Sequence, residues 1–154
     1  MNNSRRNTMR HMLSHADLRK LEMIEYLSSH RGLQNIQDLA EKLNVSERTL
    51  KEDIEGILEY DKIFDLKYYT NHIALRFQNN QSIQTVYKYV LSNSDAFRLI
   101  EALLYHGSMS MEEMVDHLFL SRSTIYRILP NIKKALETQF NISISNTPLS
   151  FVGK

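Results

Sequence analysis

Ile36, Leu39, Ala40, Leu43, Val45, Ser46, Thr49, Leu50, Ile54 and Ile57 recur 75 residues later. They return as Met111, Met114, Val115, Leu118, Leu120, Ser121, Thr124, Ile125, Leu129 and Ile132. Apolar meets apolar, Ser meets Ser and Thr meets Thr, with no gap over the 22 positions from 36 to 57. A fixed-offset repeat constrains a fold more than composition does, because each copy must bury the same face. The 154 residues are therefore expected to hold two small domains of about 60–75 residues each. At that size a lone core is marginal.

Within each copy the spacing reads as three helices and a hairpin. Leu18, Leu21, Ile24 and Leu27 recur at helical spacing between Asp17 and Gly32. Ile36, Leu39, Ala40 and Leu43 give a short second helix, and Leu43-Asn44-Val45-Ser46 a tight turn. Ser46 is placed to cap a third helix with the stripe Leu50, Ile54 and Ile57. The period then drops to two. Phe64, Leu66 and Tyr68, the turn Tyr69-Thr70-Asn71-His72, and Ile73, Leu75 and Phe77 predict a β-hairpin.

The second copy repeats the order. Phe97, Ile100, Leu103 and Leu104 lead to Gly107; Met111, Met114, Val115 and Leu118 follow; Ser121 opens the third helix. Phe140, Ile142 and Ile144, the turn Ser145-Asn146-Thr147-Pro148, and Leu149 and Phe151 predict a second hairpin. Pro130 lies inside the third helix and should bend it or free the carbonyl of Tyr126. The expected fold class is mainly α with small β-hairpin wings, two winged helix-turn-helix domains in tandem joined by a connector helix. The boundaries are a flexible basic arm over residues 1–13, domain one over 14–79, a connector packing both halves over 80–93, and domain two over 94–154.

Net charge is only +1, but its distribution is uneven. Residues 35–60 carry three basic against seven acidic side chains, whereas residues 121–154 carry five against one. Such asymmetry concerns partners rather than fold. A helix-turn-helix presents the first turns of its third helix to the major groove. On that outer face copy one offers Ser46, Arg48 and Lys51, together with Glu47 and Glu52. Copy two offers Ser121, Arg122, Ser123, Thr124, Tyr126 and Arg127. Lys67, Asn71 and His72 in one hairpin, and Asn146 and Thr147 in the other, could touch flanking phosphates. The alternative for each residue is a solvated helix face. The basic balance favours DNA contact in copy two. In copy one Glu47, Glu52, Asp53 and Glu55 would repel phosphate, although Asp53 could instead hold a local salt bridge with a basic neighbour.

Little else points to chemistry. The chain has no cysteine, which excludes a disulfide scaffold, a thiolate metal site and a cysteine nucleophile. Its four glycines form no phosphate loop. His11 and His15 stand four apart without an evident third ligand. His30 and His106 occupy equivalent positions near a helix end, where a histidine suits the dipole. Met111 and Met114 fall on a core stripe. No catalytic residue, metal or cofactor is expected, and the chain is not read as an enzyme. No apolar run reaches the ~18 residues of a spanning helix, so no membrane partner is expected and the location is read as cytoplasmic.

The run IQDLAEKLNVSERTLKEDIEGI resembles the helix-turn-helix of many bacterial regulators. MEEMVDHLFLSRSTIYRILPNI is more particular. With the ending ISISNTPLSFVGK it resembles the Mga/AtxA family of virulence transcription regulators from Gram-positive bacteria, over residues 14–154. The resemblance implies two N-terminal winged helices that bind promoter DNA. It also implies later phosphotransferase-regulated and component-IIB-like domains that sense and dimerise, beyond Lys154. The implied function is double-stranded DNA binding by a regulator, in the first instance an activator, of virulence or metabolic genes. The implied partners are DNA and, in a full-length protein, a second copy, this part alone being monomeric; RNA polymerase is a further candidate partner, as a basic subunit that the acidic first copy could dock. Two other functions fit a winged helix: a protein-interaction module whose acidic first copy docks a basic partner, and a replication initiator.

Overall fold

Capping side chains set where the helices begin. In the computed structural model, which describes residues 10–153, Ser46, Ser94, Ser110 and Ser121 each accept a hydrogen bond from the backbone N–H three residues on. Asn35 does the same for Asp38. Each satisfies an N–H that the helix itself leaves unpaired.

The first unit covers residues 15–90. It contains α1 (His15–Ser29), β1 (Gln34–Asn35), α2 (Ile36–Leu43), α3 (Glu47–Ile57), a 3-10 turn (Leu58–Tyr60), β2 (Phe64–Tyr68) and β3 (His72–Phe77). Helix α4 (Ile83–Asn93) follows, with the boundary between the units inside it. The second unit joins residues 91–153 to residues 10–14. It contains α5 (Asp95–His106), β4 (Ser108–Met109), α6 (Met111–Leu118), α7 (Arg122–Phe140), β5 (Ile142–Asn146) and β6 (Leu149–Gly153).

Each unit is a winged helix-turn-helix, and the two share one topology. The strand orders are β1-β3-β2 and β4-β6-β5, antiparallel throughout. Helix α1 packs on α3 and β3, burying Leu21, Ile24 and Leu27, together with Met23. Helix α5 packs on α6 and α7, and Leu99, Leu103, Met114, Leu118, Ile125 and Ile132 are at most 2% exposed. Burying a side chain of that size contributes about 1.5–3 kcal/mol. In the first unit the Tyr89 ring of α4 packs edge-on against Tyr60, 4.9 Å between centroids.

The structure corrects four details. Met12 and Leu13, at the inner end of the expected arm, are buried, and Met12 joins the core of the second unit because both side chains are apolar. Residues 1–9 of the arm lie outside the described residues. Phe140 ends α7 and is 53% exposed, so it is not a strand residue. Both hairpin turns are tighter than four residues. Tyr69 N–H donates to the His72 carbonyl at 2.8 Å, and Ser145 and Asn146 belong to β5, leaving Thr147-Pro148 as the second turn. The third strand of each sheet, two residues long, was unexpected; it is too short to show a period. Helix α7 runs unbroken through Pro130, which is exposed and lacks the N–H that the Tyr126 carbonyl would otherwise accept.

Candidate nucleic-acid interface

The N-terminal turns of α3 and α7 are built by the same device. Ser46 Oγ accepts from Thr49 N–H at 3.1 Å and meets Thr49 Oγ1 at 2.9 Å. Ser121 Oγ accepts from Thr124 N–H at 3.1 Å and meets Thr124 Oγ1 at 2.8 Å and Ser123 Oγ at 3.1 Å. Ser46 and Ser121 thus cap their helices, and Thr124 supplies the backbone N–H that Ser121 accepts. Thr124 is half-buried.

The outer faces differ. On α7, Arg122, Ser123, Tyr126 and Arg127 are all exposed, and the first turn has no acidic residue. Arg122 is ion-paired with Glu112 at the start of α6. The Glu112 carboxyl is held below its usual range, first by its own backbone N–H and then by the Arg122 charge. On α3, Glu47 takes the first turn and Arg48 pairs with Glu52 at 3.2 Å, both exposed. Lys51 is exposed beside them.

Asp53 does not belong to this outer face. It is 5% exposed and accepts from Arg19 Nε at 3.0 Å and Nη2 at 3.2 Å. Asp53 does hold a salt bridge, but not a local one with a basic neighbour: its partner stands on α1, 34 positions away. The guanidinium is correspondingly harder to deprotonate than usual, chiefly through that hydrogen bond. Asp53 therefore ties α1 to α3 rather than repelling phosphate.

The wings carry fewer cations than the helices. Lys67 is exposed on β2, opposite Ala74. Asn71 accepts from Ile36 N–H at 2.8 Å through its carbonyl, fastening the tip to the start of α2. In the second unit Lys133 donates to Asn146 at the wing. His30 accepts a structural place, its ring stacked on Tyr26 at 3.8 Å. His106 meets His117 edge-on at 5.1 Å. Among the described residues no three or more His, Cys, Asp or Glu side chains are grouped to hold a metal ion, and no helix is long and apolar enough to cross a membrane.

Glu112 escaped the sequence reading. Its partner lies ten positions on, across a turn, outside any helical spacing rule. The repeat held a hint: position 37, its counterpart, is glutamine, and position 47, the counterpart of Arg122, is glutamate.

Residues 79–154 match the family model of the Mga helix-turn-helix domain, and residues 19–63 match a helix-turn-helix domain model. The chain belongs to the Mga/AtxA-like family. Its Mga domain begins ahead of α4 and so takes in the connector as well as the second winged helix. The chain is 31% identical to a protein of Streptococcus pneumoniae serotype 4 named "Putative trans-acting regulator", over 94% of this chain and 29% of that one. It is 27% identical to the "Capsule synthesis positive regulator AcpA" of Bacillus anthracis, over 88% and 28%. The chain thus spans less than a third of the length of the curated relatives it matches.

Proposed function

We propose that this chain is the DNA-binding region of a transcription regulator, and that α7 is its principal recognition helix. The observation that carries the reading is the outer face of α7. Arg122, Ser123, Tyr126 and Arg127 stand exposed on a capped helix whose first turn lacks any acidic residue. Cations and hydroxyls so placed can donate to phosphate oxygens and to guanine edges. Helix α3, with Glu47 and the Arg48–Glu52 pair, has a smaller electrostatic share, through Lys51 and the wing residue Lys67.

The finer reading is an activator acting in the cytoplasm on virulence or metabolic genes, without catalysis. The relative named as a positive regulator of capsule synthesis supports it. In a full-length protein the same reading includes a homodimer and contact with RNA polymerase.

Fluorescence anisotropy with a labelled mixed-sequence duplex tests the central claim. Affinity should fall with salt at a slope of about −0.9 for each phosphate contacted. Arg127→Ala should weaken binding and flatten that slope by about one contact, with Lys51→Ala doing less. A salt-independent affinity, or none at all, would overturn the reading. Equal losses for the two variants would remove the unequal division between the helices.

A further inference from the structure

Arg122 stands where helix stability disfavours it. It is the first residue of α7, and the N-terminus of a helix carries partial positive charge. Copy one obeys that rule with Glu47 at the equivalent position. Copy two breaks it and supplies a carboxylate from elsewhere. Glu112, in the first turn of α6, reaches across the helix-turn-helix to the Arg122 guanidinium. Both side chains remain more than half exposed, at 53% for Arg122 and 70% for Glu112. Such a surface pair stabilises a fold very little. Copy one has neither partner: Gln37 replaces the acid and Glu47 the base.

We propose that Glu112 is a positioning residue that sets DNA sequence specificity, holding the Arg122 guanidinium for a base edge and keeping it off the phosphate backbone. This rests on the reading of α7 as a recognition helix. A guanidinium has five N–H donors in a rigid fork. Glu112 Oε1 accepts from Nη2, and a guanidinium with one N–H so engaged keeps further N–H donors for a second partner. The carboxylate acts on two competing targets unequally. It repels a charged phosphate, whereas a guanine edge with its O6 and N7 acceptors carries no net charge. Holding one nitrogen also removes rotamer freedom before DNA arrives, so less is lost when the base contact forms. The first effect lowers non-specific affinity and the second raises discrimination.

The test uses the 154-residue chain and two probes. One is duplexes enriched by the unaltered chain from a randomised-sequence pool; the other is the unselected pool. Glu112→Gln keeps the shape and removes the charge. It should bind the unselected pool several-fold more tightly, with the salt slope steeper by about 0.9. The ratio of enriched to unselected affinity should fall roughly tenfold. In an Arg122→Ala background the same change should leave that ratio unaltered. Melting temperatures of the three variants should stay within about 5 °C of that of the unaltered chain, the range set by losing a charge at a helix N-terminus, which separates a positioning role from a structural one.

An unchanged ratio in Glu112→Gln would overturn the proposal while leaving the DNA-binding reading intact. A fall in the ratio that persists without Arg122 would overturn it too, since Glu112 would then act by another route. If the unaltered chain binds neither probe, the reading and the proposal fall together.

Discussion

Two residues at the same place in the repeat carry different burdens. Asn44 and Phe119 both end the second helix of their units with φ of 56°. Asparagine takes that left-handed conformation readily, whereas a residue with a bulky side chain is strained there by about 1–2 kcal/mol. Phe119 recovers little by burial, being 90% exposed. Phe119→Asn should therefore stabilise the second unit by about 1 kcal/mol in urea unfolding, and Asn44→Phe should destabilise the first by a similar amount. Tyr60 provides a pH signature. It is 5% exposed, and its hydroxyl ionises well above the ordinary 10.0, first through burial and then through Glu59. Its folded pKa is raised, so above pH 10 the unfolded chain loses this proton while the folded chain keeps it. Stability should hold below that pH and decline above it. Tyr60→Phe should make the alkaline decline shallower in denaturant titrations.

At the scale of elements, the helices are tied by side chains that copy numbers alone would not pair. Arg19 on α1 grips Asp53 on α3 with two hydrogen bonds. Removing the arginine strands a buried carboxylate. Arg19→Ala should cost about 2 kcal/mol by thermal or urea unfolding, below the 3–5 kcal/mol of a fully buried pair because Arg19 is 36% exposed. Replacing both residues by apolar ones of similar size should come out nearly neutral. In the second unit the comparable tie is different: Arg98 Nη2 donates to the Leu118 carbonyl at 2.8 Å, closing the end of α6. The helices, the Ser46 cap, the Ser121 helix start and the main hairpin strands were legible because period, cap and turn residues are local signals; the caps Asn35, Ser94 and Ser110 went unread. The two-residue strands β1 and β4 were not legible. They exist because β3 and β6 present an edge to them, and their own residues show no alternation.

For the molecule as a whole, two cores of one design predict separable failure. Leu118 is 2% exposed within the second core. Leu118→Asp buries a charge without a partner and should remove more than about 4 kcal/mol, enough to unfold a unit of this size. Amide exchange should then show residues 91–153 unprotected, with α1 and α3 still protected. Loss of protection in both units would mean that they fold as one. The placement of Met12 in the second core adds a further expectation. Met12→Ser should lower the stability of the second unit, by about 1–2 kcal/mol, and leave the first unchanged.

The amino-acid sequence by itself determined the duplication, the helix order, the Ser46 cap and the wings, together with the family resemblance that the domain matches bear out. These follow from short-range rules: where apolar side chains recur, which residue can cap, and which turn a chain can make. Only the tertiary structure decided which charges remain available to a partner. Asp53 looked like part of an acidic outer face and is buried against Arg19; Arg122 looked unopposed and is held by Glu112. The reason is physical. Charge pairing depends on distance in space, and both pairs join residues that no helical or strand period brings together. The 75-residue offset sets where the backbone goes; the contacts across α1, α3, α6 and α7 set what each surface can bind.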